Sequence, residues 1–277
     1  MNQLFEQLFK HQPTADQVNL FGQIDRFLKS EAPNSLFVLK GYAGTGKTTS
    51  MSVLVKLLPK YQMKAILLAP TGRAAKVLGN YSQKPAFTIH KKIYRKTIGF
   101  GGEVRFSLTD NKHAETIFIV DEASMISDTN TDSNAFENGS LLDDLISYIY
   151  SGTNCKMLLL GDTAQLPPVN LDISPALNID TLGMHYNKEI KHIEFDEVMR
   201  QEEKSGILYN ATELREVLKE EFYESFKFNL NGFKDIIRLT DGYDIQDAIN
   251  SAYSNYSIED TAFIVRSNKR ANQYNDQ

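Results

Sequence analysis

The sequence predicts an α/β fold: a mostly parallel sheet flanked by helices, with a small β-hairpin inserted. Three observations predict it. Short apolar runs at Leu36–Lys40, Ala65–Ala69, Thr116–Val120 and Met157–Leu160 each end in a polar or Gly-rich turn, as buried strands do. Between the first two, Lys47–Leu58 places Val53, Leu54, Leu57 and Leu58 on one helical face. Strands that alternate with helices in this way pair in parallel, because each helix is the crossover that returns the chain to the same sheet edge.

The elements divide the chain into three regions. Residues 1–200 form the main α/β domain. Within it, 91–115 breaks the alternation, first with basic residues and then with Gly99, Gly101, Gly102 and the alternating Glu103–Leu108, the pattern of an inserted hairpin. Ser127–Gly139 is polar and reads as a loop. Residues 201–260 read as a mostly helical connecting region, charged and helical from Ser205 to Phe228. Residues 261–277 read as the start of a further domain, with a strand at Thr261–Val265 and a helix at Asn268–Tyr274. A strand and part of a helix do not bury a core of their own.

Composition narrows the function. The 277 residues are 42% hydrophobic, enough for one large or two modest cores. No apolar run approaches the roughly eighteen residues of a membrane span, so no membrane partner is expected. The one cysteine, Cys155, excludes an internal disulfide and a Cys-rich zinc site; it reads as a small buried hydrophobe, and a reducing cytoplasmic setting is expected. A net charge of −5 argues against a whole surface that grips nucleic acid, while leaving room for a local basic groove.

Gly41-Tyr42-Ala43-Gly44-Thr45-Gly46-Lys47-Thr48 satisfies G-x-x-x-x-G-K-[ST], between a strand and a helix. The glycines let backbone N–H groups turn around a phosphate, and the helix directs its positive end at the same point. Gly41, Ala43, Gly44, Thr45, Gly46, Lys47, Thr48 and Thr49 are the nucleotide-binding candidates, with Lys47 directed at the β- and γ-phosphates and Thr48 at Mg²⁺. Thr116–Val120 runs into Asp121-Glu122-Ala123-Ser124-Met125. An acid at the carboxyl end of a parallel strand lies beside such a loop. Asp121 is the second Mg²⁺ candidate, and Glu122 the base for an attacking water. Leu158–Leu160 runs into Gly161-Asp162-Thr163-Ala164-Gln165-Leu166-Pro167-Pro168-Val169. Gln165 there is a candidate to bond both water and γ-phosphate, and the prolines stiffen the segment that follows.

The ordered set Gly-x-x-Gly-Thr-Gly-Lys-Thr, Asp-Glu-Ala-Ser-Met and Gly-Asp-x-x-Gln-Leu-Pro-Pro-Val resembles motifs I, II and III of superfamily 1 DNA helicases. Ala69-Pro70-Thr71-Gly72-Arg73-Ala74-Ala75 resembles motif Ia, and Thr88-Ile89-His90 the segment that follows it in the RecD-like, 5′-to-3′ branch. The resemblance covers about Thr14–Arg200. It implies a RecA-like motor domain, ATP and Mg²⁺ as cofactors, and single-stranded DNA as partner. Recombination or repair proteins are further candidate partners. By resemblance Gln17 reads adenine, although Thr14-Ala15-Asp16-Gln17 also fits a capping box for the helix carrying Val18, Phe21 and Leu28. Arg200 resembles the motif IV arginine that supports the γ-phosphate in the transition state. Pro70, Thr71, Thr88 and His90 match positions that touch the DNA backbone. Lys91, Lys92, Arg95 and Lys96, with Tyr94 among them, suit a strand-binding path or else a solvated helix face. The inserted hairpin is a candidate wedge.

A complete motor has two such domains, and the resemblance implies that this chain is the first plus the opening of the second, hence part of a longer helicase. Two other functions compete. A small-molecule kinase needs a lid and an acceptor pocket, of which the sequence carries no sign. A nucleotide-dependent DNA-binding module without turnover does not need both Asp121 and Glu122.

Overall fold

The structure, a computed structural model, describes residues 5, 7–9, 12–98, 104–128, 140–195, 205–218, 226–258 and 260–276. The chain forms two compact units, Met1–Gln201 and Glu202–Gln277.

The first unit is built on six parallel strands: β1 (Ser35–Gly41), β2 (Lys64–Ala69), β3 (Ala86–Thr88), β6 (Ala114–Val120), β7 (Thr153–Gly161) and β8 (Glu189–Phe195), in spatial order β3-β2-β6-β7-β1-β8. The four sheet strands read from the sequence within residues 1–200 are present; β3 and β8 were not read from it. Because side chains alternate across a strand, one set of residues faces each layer. Phe37, Leu39, Ile117, Ile119, Leu158 and Leu160 pack with α1 (Ala15–Lys29), α2 (Lys47–Leu57) and α3 (Gly72–Ser82). Leu36, Val38, Phe118, Val120, Met157 and Leu159 pack on the other side with α4 (Ile89–Ile93) and α5 (Leu141–Tyr150). Strands buried on both faces explain why the sequence shows continuous apolar runs rather than alternation.

The inserted hairpin pairs β4 (Tyr94–Ile98) with β5 (Val104–Leu108), antiparallel, from Tyr94↔Leu108 to Ile98↔Val104. The basic stretch therefore does not run on as a helix face: the chain switches from α4 to strand at Tyr94. The hairpin tip, 99–103, and the polar segment 129–139 lie outside the described residues. No described helix is long and apolar enough to cross a membrane, and Cys155 is buried.

The second unit carries α6 (Gly206–Leu218), α7 (Gly242–Asn255) and α8 (Asn268–Asn275). Two expectations are corrected here. Phe226–Phe228 is not helical; Phe226 instead sets its ring edge-on to Phe228 at 5.0 Å. Thr261–Val265 forms no ladder with any described strand. Phe263 stacks between Tyr253 and Tyr274, with centroids 6.2 and 5.5 Å apart. A lone apolar run has no neighbour to satisfy its backbone as a strand, and aromatic stacking uses its side chains instead.

Candidate nucleotide and nucleic-acid site

β1 and β7 are neighbours, but the chain leaves them toward opposite faces. After β1 it enters α2 in one layer; after β7 it runs through Ala176, Leu177 and Leu182 in the other. Such a divergence opens a crevice at the carboxyl edge of a parallel sheet. The phosphate loop lies there. Gly44 and Gly46 take left-handed backbone, φ 86° and 88°, which side chains resist. A Cβ on Gly41 would stand 2.8 Å from the Cβ of Phe195 and 3.0 Å from its carbonyl oxygen. Thr45 is buried, and its hydroxyl donates to the Tyr42 carbonyl at 2.8 Å. The Lys47 ammonium folds back on the loop, donating to the carbonyls of Gly41 and of Tyr42, the latter at 2.9 Å. α2 has no acid in its first turn to offset its positive end.

The acidic turn follows β6, two strands from β1. The Asp121 amide extends the ladder by donating to the Leu68 carbonyl at 2.9 Å, and one Asp121 oxygen accepts the Glu122 amide at 2.9 Å. Burial, then the neighbouring Glu122 charge, pushes the Asp121 carboxyl up to about 6, against the pull of Lys47. Glu122 holds left-handed backbone, φ 56° and ψ 39°. A non-glycine residue there carries strain of order 1–3 kcal/mol, a frequent feature of functional turns.

The third strand end cross-links the other two. Asp162, 4% exposed, accepts the Ala43 amide on one oxygen at 2.9 Å and the Ala164 amide on the other at 2.8 Å. Three residues on, exposed Gln165 accepts the Ser124 hydroxyl at 2.8 Å. Buried Ser174, past the two prolines, has its hydroxyl 2.8 and 2.6 Å from the carbonyls of Ala123 and Ile126. The Gly-Asp turn was visible in the sequence, but no role for Asp162, Ser124 or Ser174 was. A carboxylate at a strand end beside a glycine loop was the signal for the first. Nothing in the spacing marks the serines.

Gln17 is buried and completes the capping box: its side-chain oxygen accepts the Thr14 amide at 3.1 Å, and its own amide donates to the Thr14 hydroxyl at 3.2 Å. α1 ends at Lys29, and residues 30–34 join it to β1 at Ser35. Thr48 begins α2 beside Lys47, half-buried, and Thr49 is exposed. Arg200 lies outside the described residues.

The nucleic-acid candidates fall side by side. β2 and β3 are paired, Ala69 opposite Thr88, so Pro70-Thr71 and Thr88-Ile89-His90 leave one edge together. Thr71 caps α3 by accepting from Ala74 at 3.2 Å, and Thr88 caps α4 by accepting from Lys91 at 3.2 Å. His90 is exposed with its ring 5.7 Å from that of Tyr94, and desolvation lowers its pKa. A surface hollow lined by Lys76, Asn80, Gln83 and Lys84 lies between the end of α3 and the start of β3, at the opposite edge, and holds none of these residues.

Residues 22–222 match the family model described as AAA domain. The chain is 33% identical over 143 residues to the ATP-dependent RecD2 DNA helicase of Deinococcus radiodurans, covering 50% of this chain and 17% of that protein. It is 27% identical over 206 residues to the ATP-dependent DNA helicase dda of Enterobacteria phage T4, covering 73% of this chain and 42% of that one. The chain thus spans less than half of either relative. Among solved structures, unliganded Pif1 from Bacteroides sp aligns over 73% of this chain and 46% of its own, at 18% identity and a TM-score of 0.44. Pif1 helicase from Candida albicans covers 73% and 44%, at 20% identity and a TM-score of 0.45. The family match spans most of the first unit and encloses the phosphate loop, the acidic turn and the Gly-Asp turn that meet at the sheet's switch point, and the chain belongs to the AAA-domain family.

Proposed function

We propose that this chain binds ATP with Mg²⁺ and hydrolyses it to drive movement along single-stranded DNA, 5′ to 3′. The reading is carried by one observation: three strand ends converge on one crevice and are hydrogen-bonded to each other, Ala43 to Asp162 and Gln165 to Ser124. A phosphate loop alone binds nucleotide. A loop tied to an acid pair and to a glutamine also has the parts to manage a water and report on the γ-phosphate.

On this reading Lys47 leaves the carbonyls of Gly41 and Tyr42 to meet the β- and γ-phosphates, and the first amides of α2 turn toward them, since a helix gives those groups no internal partner. The Asp121 carboxylate and Thr48 hydroxyl are hard oxygen donors suited to Mg²⁺, which usually binds through one or two carboxylates and substrate phosphates. The metal would supply positive charge at the phosphates. Glu122 orients the water and accepts its proton. Arg200 supports the transferring phosphate, and Gln17 contacts adenine from the start of α1. Thr71 and Thr88 use their oxygens as caps, which leaves each hydroxyl proton to donate to a DNA phosphate. Pro70 and His90 flank that path, and Lys91, Lys92, Arg95 and Lys96 extend it. The reducing cytoplasm suits the buried Cys155 thiol.

The test separates binding from turnover. Glu122→Gln should keep ATP affinity within about threefold while turnover falls by a factor on the order of 10² or more, the size expected for loss of a general base. Fluorescent-nucleotide titration and phosphate release measure the two. If affinity and turnover fall together, Glu122 holds the fold and is not the base.

A further inference from the structure

We propose that Asp162 is a positioning residue: its buried carboxylate fixes the phosphate loop and couples it to the acidic turn. The inference rests on the nucleotide reading given above and gives Asp162 a role that its place in the Gly-Asp turn did not supply.

The β1–β7 ladder ends at Lys40↔Gly161. Beyond it the two chains diverge, so backbone pairing cannot hold them. Asp162 takes over at that point. One oxygen accepts the amide of Ala43 across the crevice at 2.9 Å, and the other accepts the amide of Ala164 in its own turn at 2.8 Å. Ala43 is itself exposed, so its amide is held by this carboxylate rather than by burial. The Gln165 amide donates to the Asp162 carbonyl at 3.3 Å, and the Gln165 side chain accepts from Ser124, two residues past Glu122. A continuous path of bonds therefore runs from the phosphate loop, through one turn, to the segment carrying Asp121 and Glu122. The Ala43 amide, expected among the phosphate donors, is committed to this path.

The chemistry explains why an aspartate stands there. Burying a carboxylate is costly unless it is fully bonded. A neutral residue would serve a mere clamp at lower cost. Two amides converging on one side chain need two acceptors held about one carboxylate apart. Asparagine offers one oxygen and sets an NH₂ against the other amide, so it releases one of the two bonds whichever way it is turned. Charge-assisted bonds of this kind are also about twice as strong as neutral ones.

Asp162→Asn is expected to weaken ATP binding about tenfold and to lower kcat about tenfold as well, with Asp162→Ala at least as severe. A residue that only stabilised the fold would lower the melting temperature and leave the affinity and kcat of the folded fraction unchanged. Lys47→Ala is measured beside them. If Lys47→Ala loses ATP binding while both Asp162 variants keep wild-type affinity and kcat, the positioning role is wrong and the nucleotide reading stands. If Lys47→Ala also binds as wild type, the nucleotide reading has failed first. Should the variants not fold, hydrogen exchange on the wild-type chain decides. The Ala43 amide should exchange at least about tenfold slower than an unprotected amide; an unprotected rate at this exposed residue overturns the proposal.

Discussion

A methyl group on Gly41 would meet Phe195 from two sides, Cβ at 2.8 Å and carbonyl oxygen at 3.0 Å. Backbone cannot rotate away as a side chain can, so β8 or the loop must shift. Gly41→Ala should therefore cost about 1–3 kcal/mol, the usual cost of overpacking, read as a lowered urea midpoint. Gly72→Ala is the control. No heavy atom lies within 4 Å of its added Cβ, and alanine is the better helix former by up to about 1 kcal/mol, so the midpoint should hold or rise. At this scale the sequence was informative where a residue type has one use. The placing of Lys47, Asp121 and the glycines just past strand ends was legible, because each follows a plain apolar run at fixed spacing. The partners of Asp162 and Ser124 were not, because they lie 119 and 41 residues away, and no local pattern records such a distance.

Elements are held by polar pins at their ends. The hairpin is rooted on one strand by Tyr94, whose hydroxyl donates to Asp144 at 2.6 Å. On the other, the amide and hydroxyl of Thr109 both donate to the Ile93 carbonyl, at 2.8 and 3.0 Å. Asp144 is only 1% exposed, so Tyr94→Phe withdraws a bond from a buried carboxylate and should cost about 1–3 kcal/mol by denaturant melting. In the second unit α6 is capped from afar. Asp235 accepts the Ser205 hydroxyl at 2.7 Å and the amides of Gly206 and Ile207 at 2.9 and 3.2 Å. The Ser205 bond first, then those amides, lowers its pKa from 3.8 to about 2. A lowered carboxylate pKa stabilises the folded state above the unfolded value and loses that contribution as pH falls through the folded one. The Gly206 and Ile207 amides should thus stay protected above about pH 4 and lose protection as pH falls toward 2. Asp235→Asn should weaken them at neutral pH. Unchanged protection in both cases contradicts the cap. Four of the six sheet strands were readable because apolar runs buried on both faces leave a plain signal; β3 and β8, only partly buried, leave none. The Thr261–Val265 run gave the same signal without a partner strand among the described residues, so the run alone does not encode pairing.

For the molecule as a whole, the alternation of strands and helices fixed the α/β class, since parallel pairing demands crossovers. Strand order was not legible: nothing in the sequence says that β1 lies between β7 and β8, and it is this order that brings Gly41, Asp121 and Asp162 to one crevice. Net charge also acts at this scale. With −5 overall, the DNA binding proposed above requires a local attraction, along Thr71, Thr88, His90 and the basic residues after them. Binding to a fluorescent single-stranded oligonucleotide should weaken with salt, with a log–log slope of about −1.4 to −2.8, corresponding to roughly two to four neutralised phosphates at about −0.7 each. A flat response excludes a phosphate path. The convergence of loop, acids and glutamine matters only if it couples nucleotide to nucleic acid. Steady-state ATP turnover by the full chain, with and without single-stranded DNA, tests that coupling. Turnover should rise several-fold with the strand present and stay at its basal level in Lys47→Ala; a wild-type rate indifferent to DNA contradicts a motor.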